Sequence, residues 1–285
     1  MNKAKEVFME VVFLLTSCIS VIAVIFICIF LFVNGIPAIA KIGVGNFLLG
    51  TVWKPGSNQF GIFPMVLGSI YVTAGAIILG VPLGILTATF LARFCPRQLY
   101  PVLKFAIELL AGIPSVVYGF FGLVVLVPMV RNLFGGKGSS ILTASILLGI
   151  MILPTIIGVA ESALRTVPDH YFEGALALGA TKERSIFRVV LPAAKSGIMA
   201  GVILGIGRAI GETMAVVMVA GNQARIPSGL LKGIRTLTAN IVIEMGYAAD
   251  LHREALIATG VVLFMFILII NLTFNIIKNR GGANR

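Results

Sequence analysis

Charge is what this chain has least of. Asp, Glu, Lys and Arg together make up 12% of its 285 residues, against 58% apolar residues and a mean hydropathy of +1.05. So few charges cannot cover a soluble domain of this size. The composition excludes a soluble globular protein and leaves an all-α, polytopic membrane protein. Cysteine is scarce too: Cys18 and Cys28 lie in an apolar run and Cys95 in a basic loop. That excludes a disulfide framework, and no metal-ligand spacing is present. The Gly135-Gly136-Lys137-Gly138 stretch is not a phosphate-binding loop, because no Ser or Thr follows the lysine and no glycine lies five residues before Gly136. It reads as an external turn. No nucleophile–base spacing is found, so no catalytic residue and no cofactor are expected in this chain.

Acidic residues are half as many as basic ones, for a net charge of +11. No basic stretch is interleaved with aromatics as a nucleic-acid surface requires. The excess reads instead as lysine and arginine retained on the cytoplasmic side of a membrane.

Apolar runs predict six spans. The first, Val11 to Val33, is too long for a signal-peptide core and right for a spanning helix. A loop over 34–63 follows, with turns at Asn34-Gly35-Ile36-Pro37 and Lys54-Pro55-Gly56-Ser57-Asn58. Trp53, the only tryptophan, is expected at the membrane interface. The second span runs from about Gly68 to Ala92 with Pro82 inside it. The third covers about Phe105 to Val130, broken at Gly112-Ile113-Pro114, with Glu108 one turn from Lys104 as its expected partner. The fourth is Ser140 to Ala160, the fifth about Gly197 to Ala220, and the sixth Leu256 to Ile277. A polar segment over 221–255, with an amphipathic helix around Leu237 to Tyr247, precedes the last span.

This topology makes one transmembrane domain over 1–285 with both termini cytoplasmic and external loops at 34–63 and 221–255. It places 13 of the 22 Lys and Arg inside, eight outside, and Arg208 alone in the membrane. The bias agrees with a prokaryotic inner-membrane location.

The longest strongly basic interruption is the loop at 161–196, and its centre, Glu173 to Pro192, is dense in punctuation. Thr166, Pro168 and Asp169 suit a helix start. Gly179 suits a left-handed stop, Thr181 a second N-cap with Glu183 in the first turn, and Pro192 an end. Two short helices hinged at a glycine make a compact knob.

The fifth span carries Arg208, Glu212 and Thr213. A charge at the bilayer centre costs roughly 3 kcal/mol or more. On a continuous helix Arg208 and Glu212 share one face with Gly201 and Gly205, which invite close approach of another helix. Two readings stand. The residues form an ion pair, within the helix or across to a partner subunit, or they are a polar station on a substrate path. Arginine suits an oxyanion through its planar fork, and a carboxylate beside it suits an anion that still carries a proton, as phosphate does near neutral pH and sulfate does not.

The knob resembles the ATPase-coupling loop of ABC-importer permeases, written E-A-A, three residues, G, nine residues, I-x-L-P. Glu173, Gly174 and Ala175 stand for E-A-A, Gly179 follows at the right distance, and Val189, Leu191 and Pro192 close the pattern, with Gly174 and Val189 as small departures. The stretch from Gly207 to Asn222, together with Phe60-Gly61-Ile62, Gly68-Ser69 and Gly112 to Phe120, is similar to the PstC-type permease subunits of phosphate ABC importers. That resemblance implies a type I, MetI-like fold and a path formed with a second, PstA-like permease. It also implies two ATPase subunits that hold ATP and Mg and dock on the knob, and an extracellular phosphate-binding protein. Two alternatives remain: an ABC permease for another oxyanion such as molybdate or sulfate, and a secondary anion transporter or channel, which would not need the knob.

Overall fold

The computed structural model describes the backbone of residues 3–282 and the side chains of residues 5–273 and Ile276. It is almost entirely helical. In chain order the helices are α1 (Lys3–Ile42), α2 (Val44–Leu48), α3 (Phe63–Thr89), α4 (Tyr100–Gly112), α5 (Ser115–Phe121), α6 (Val127–Phe134) and α7 (Ile141–Thr166). There follow α8 (Asp169–Ala177), α9 (Lys182–Ser185), α10 (Leu191–Ala193), α11 (Lys195–Gly211), α12 (Met214–Val219), α13 (Leu237–Met245) and α14 (Asp250–Gly282). π-Helical turns at Phe90–Phe94, Gly122–Leu126 and Ile186–Val190 extend α3, join α5 to α6 and join α9 to α10. A two-residue hairpin pairs β1 (Trp53–Lys54) with β2 (Gln59–Phe60), Trp53 opposite Phe60. Five helical segments are long and apolar enough to cross a membrane, and a sixth span results if the bent pair Lys182–Ala193 and Lys195–Gly211 is counted as one. The chain is therefore a polytopic membrane protein of the expected class.

Helix α7 is the axis, and the most buried of the spans. It lies between α3 and α11, and glycines set both contacts. A Cβ on Gly84 of α3 would stand 2.8 Å from Ile156 Cγ2, and one on Gly205 of α11 would stand 2.9 Å from Ile156 Cγ1. Helices approach this closely only where one side has no side chain. The apolar cluster around α7 (Leu147, Leu148, Met151, Ile152 and Ile156, all essentially inaccessible) fills the centre.

The structure corrects four local expectations. Asn34 to Pro37 is not a turn, because α1 runs through it. Asn34 Nδ2 donates to Phe30 O at 2.7 Å, and Gly35 lies against Ala258 and Val261 of α14, so tertiary packing overrides the turn residues. The third span is shorter and later, Ser115–Phe134. Pro114 forces Ile113 into extended backbone (φ −68°, ψ 126°), which ends α4 and leaves it as a separate helix. Lys104 does not pair with Glu108. Its Nζ reaches Glu161 Oε2 on α7 at 2.9 Å, where Tyr100 Oη (2.7 Å) and Arg165 Nε (2.9 Å) also donate. Glu161 is 2% exposed, and a buried carboxylate takes every donor within reach. Its hydrogen bond holds the Lys104 ammonium above the usual lysine range. The lysine's share of the stabilisation is thus present at neutral pH and is lost as pH rises through that raised value.

The fourth correction concerns Trp53. It is 7% exposed and donates Nε1 to Glu244 Oε2 at 2.7 Å, inside a cap at the end of the bundle opposite α8. Glu244, on α13, also accepts from Arg235 Nη1 and pairs with His252 Nε2 at 2.8 Å. The indole finds a buried carboxylate rather than a headgroup. The side chains of Lys3, Lys278 and Arg280, and all of Arg285, which the terminal charge bias used, lie outside the described residues.

Gly84→Leu is expected to destabilise the detergent-solubilised chain by about 1–3 kcal/mol through overpacking on Ile156. Gly158→Ala, where a Cβ meets nothing within 4 Å, should be neutral or slightly stabilising. Thermal unfolding of both variants checks this; equal stability of Gly84→Leu and wild type would contradict the packing account.

Candidate functional site

Two places in the fold gather the residues singled out in the sequence. The first is the knob over α8 to α10. Pro168 is its N-cap in extended backbone (φ −59°, ψ 139°) and Asp169 opens α8. Thr166 does not take part: its Oγ1 donates back to Ser162 O at 2.9 Å. Gly179 sits at φ +87°, where its N–H reaches Leu176 O at 2.9 Å and Ala180 N–H reaches Ala175 O at 3.1 Å, closing the helix end. Thr181 Oγ1 then accepts from Arg184 N at 3.3 Å and starts α9, with Glu183 in its first turn.

The coupling-loop residues divide into two halves. Glu173 and Gly174 are exposed and Ala175 is half-buried. Val189, Leu191 and Pro192 are half-buried at the root, where Val190 and Leu191 pack with Leu164, Val167 and Ala194. A Cβ at Gly174 would meet nothing within 4 Å, so the glycine is not a steric requirement and the E-A-A pattern fits the same backbone. Four large apolar side chains that the motif does not mention are exposed on the knob: Tyr171, Leu176, Phe187 and, at 91%, Leu178. These side chains leave apolar groups open on an otherwise polar, charged knob. The signal for Leu178 was available: it immediately precedes the glycine that turns the chain, so no neighbouring turn covers it.

The second place is the far end of α11. That helix does not continue to Ala220. It stops at Gly211, and Glu212 (φ −68°, ψ 131°) and Thr213 (φ −121°, ψ −62°) form a break before α12. The break removes the shared face on which an intrahelical pair would rest. Among the described residues Arg208 and Glu212 form no ion pair with each other or with any other residue. Arg208 Nη1 donates to Thr155 Oγ1 at 3.2 Å, in the middle of α7. Glu212 Oε1 accepts from Ala215 N at 3.2 Å and so caps α12, while its carbonyl accepts from Thr238 Oγ1 at 3.0 Å. Thr213 Oγ1 donates to Gly211 O at 3.2 Å. All three side chains are half-buried. The glycine stripe does bring a helix close, as expected: Gly201 and Gly205 meet Val159 and Ile156 of α7.

Sequence reasoning missed Thr155, which holds the arginine, and it missed the alignment of two breaks. Helix α5 packs on α12 in parallel, Gly119 against Ala215 and Met218, and Gly122 against Val219. That register sets the break at Ile113-Pro114 level with the break at Glu212-Thr213. A guanidinium with five N–H donors, one of them engaged within the chain, therefore lies at mid-depth beside two interrupted helices. Irregular backbone at that depth persists only where protein or water covers it. The arrangement can bind an oxyanion. Among the described residues no group of three or more His, Cys, Asp and Glu stands where it could hold a metal ion.

Residues 80–280 match the family model described as binding-protein-dependent transport system inner membrane component. The chain is 39% identical over 270 residues to a probable ABC transporter permease protein, YqgH, of Bacillus subtilis, covering 90% of this chain and 87% of the relative. It is 38% identical over 265 residues to the phosphate transport system permease protein PstC of Mesorhizobium japonicum, covering 86% and 81%. Among solved structures, the MetNI methionine ABC transporter in an inward-facing form aligns with a TM-score of 0.62 at 19% identity, over 81% of this chain and 99% of that one. A bacterial alginate ABC transporter aligns at 0.61 and 16% identity over 98% of each. At those identities the structural matches speak for the fold.

Since Arg208 and Glu212 are not paired within the chain, the stability effects of Arg208→Gln and Glu212→Gln in the isolated chain are expected to add within about 0.5 kcal/mol. A double-mutant cycle by thermal unfolding tests this; a larger coupling would restore the ion pair.

Proposed function

Because the chain belongs to the family of binding-protein-dependent transport system inner membrane components, we propose that it is the permease subunit of an ATP-driven ABC importer for inorganic phosphate. The substrate class rests on the relatives that are phosphate transport permeases and on one observation in this chain. Arg208 stands at mid-depth, held by Thr155, with no carboxylate partner among the described residues. A guanidinium presented this way recognises an oxyanion by parallel charge-assisted hydrogen bonds. Thr213 and the neighbouring break supply further polar groups on the same path.

Glu212 has the role of a filter. One of its oxygens caps α12, and the other accepts the hydrogen bond of a protonated oxyanion. Phosphate near neutral pH keeps such a proton, whereas sulfate does not, and a carboxylate beside a fully ionised anion repels it. The relatives that are phosphate transport permeases favour phosphate over the alternatives of molybdate and sulfate, and this role of Glu212 accords with them.

In this reading the α8 end is cytoplasmic, as are both termini, and the cap over Trp53, Arg235 and Glu244 faces outward toward an extracellular phosphate-binding protein. The knob, through Glu173, Gly174, Ala175 and the exposed Leu178, docks on one of two ATPase subunits. Leu191 and Pro192 root it in the bundle. The chain is not itself an enzyme and holds no cofactor; ATP and Mg belong to the ATPases. A PstA-like permease forms the other wall of the path. Nucleotide binding works by differential affinity for two states of the assembly, which shifts the path between inward and outward access.

The test is ATP-driven uptake of labelled phosphate in proteoliposomes holding this chain, the second permease, the ATPases and the binding protein. Arg208→Gln is expected to lower uptake at least about tenfold, equivalent to about 1.4 kcal/mol, with the assembly intact. Glu212→Gln should retain uptake and lose resistance to excess sulfate. Uptake that survives Arg208→Gln would remove the arginine from the path, and unchanged selectivity in a transporting Glu212→Gln variant would end the filter role.

A further inference from the structure

A second guanidinium, outside the substrate path, occupies the joint between the bundle and the knob. Arg93 lies in the π-helical turn that ends α3, with 14% of its side chain exposed. Its Nη2 donates to Leu164 O at 2.8 Å and Val167 O at 3.0 Å. These are carbonyls at the end of α7 that have no helical partner further along the chain. Its Nη1 reaches Asp169 Oδ1, the first residue of α8, at 2.9 Å. Its Nε is buried and has no acceptor. One planar group thus bonds α3 to the end of α7 and to the start of α8.

The backbone it spans is the weak point of that joint. Val167 (φ −65°, ψ 122°) and Pro168 (φ −59°, ψ 139°) are extended, and proline has no N–H to carry a helical bond across. The other attachment of the knob is Ala194, where the helix axis turns by 71° into α11. On the Ala194 side the knob is rooted by apolar packing of Val190, Leu191 and Ala194 on Leu164 and Val167; on the Pro168 side the extended link carries no helical bond, and Arg93 spans it. Around Arg93 the contacts repeat the pattern. Arg165 Nη2 donates to Leu91 O at 3.1 Å, tying α7 back to the end of α3, and Lys182 of α9 lies 5.1 Å over the Phe94 ring. Asp169 is largely exposed, so its single ion pair contributes little by itself. The two carbonyl bonds, made in a half-buried site, carry the geometry.

We infer that Arg93 is the strut that passes movement of the knob into α3 and α7, and so couples nucleotide binding on the ATPases to opening of the path. This rests on the reading of the knob as the ATPase-docking element. Arg93 is a positioning residue and touches no substrate. Its planar fork holds the carbonyls of Leu164 and Val167 and one carboxylate in a fixed geometry; lysine keeps the charge and three donors but has no fork to fix their directions, and glutamine lacks the charge. Removing it leaves the docking face of Glu173, Gly174, Ala175 and Leu178 in place, so assembly should survive while transmission does not.

The test uses the complete assembly in proteoliposomes, with Arg93→Gln and Arg93→Lys beside wild type. For Arg93→Gln, the ATPase is expected to copurify, ATP hydrolysis to stay within about twofold, and phosphate taken up per ATP hydrolysed to fall about tenfold. Arg93→Lys should recover at least about a third of the wild-type ratio. A parallel fall of hydrolysis and uptake would make Arg93 a structural clamp only, and an unchanged ratio would remove it from coupling; either overturns the inference.

A substrate-independent arm separates this inference from the phosphate reading. Spin labels at Arg184→Cys on the knob and Lys137→Cys at the opposite end, with Cys18, Cys28 and Cys95 replaced by Ser, report the distance with and without nucleotide. A nucleotide-dependent change in wild type that is lost in Arg93→Gln supports the strut even where phosphate is not transported. A change that persists in Arg93→Gln overturns it. No change in wild type removes the coupling role of the knob and the strut with it.

Discussion

The contact of α7 with α3 on one side and α11 on the other is the constraint on which the rest depends. Ile156 is the clearest point: Gly84 and Gly205 meet it from the two sides at distances that leave no room for a side chain. In lipid there is no hydrophobic gain from joining apolar helices, so dispersion at close range and hydrogen bonds must hold them. Glycine at the contact supplies the close range. It also holds Thr155, one residue before Ile156, within reach of Arg208, so the same packing that forms the bundle positions its central cation.

With so few charges, each one in the bundle is placed. Glu161 and Glu244 stand near opposite ends, each nearly inaccessible and each receiving three donors, of which only Arg165 lies on the same helix as its carboxylate. A buried carboxylate is tolerated only when its lone pairs are satisfied, and satisfying them ties separate helices together. Glu161 locks α4 to α7, and Glu244 locks the hairpin, α13 and the start of α14 into one cap. Arg93 does the same for α3, α7 and α8. Arg208 differs from all of these. It is half-buried, has one neutral partner, and sits at the level of two helix breaks. The two buried carboxylates are saturated within the chain, and the guanidinium at mid-depth is left with donors to offer.

Much of this was legible without coordinates. The knob was, because its punctuation is local: Gly179 needs a left-handed backbone and Thr181 needs only the amide three residues on, so neighbours in sequence decide both. The helix expected around Leu237 to Tyr247 from its amphipathic pattern is present as Leu237–Met245, and the structure adds Thr236 as its cap. The glycine stripe of α11 correctly announced a close helix neighbour. Legibility failed where distant residues decide. Trp53 resembled an interfacial tryptophan until Glu244, far along the chain, supplied a buried acceptor. Lys104 had a local candidate in Glu108 and was taken by Glu161.

Composition, apolar runs and short-range turn chemistry by themselves determined that the chain is a helical membrane protein with a two-helix knob and two charges, Arg208 and Glu212, in its fifth span. Lipid allows only structures that satisfy their backbone internally, and those signals act within a few residues. Whether Arg208 and Glu212 share a face was a matter of tertiary structure. On a continuous helix they must meet. In the folded chain Thr238 bonds the Glu212 carbonyl, Glu212 caps α12, and α12 docks on α5 through Gly119, so the helix yields at Glu212 and the two charges part. Gly211 weakens the helix at that point, and contacts between segments that only the fold brings together hold the break.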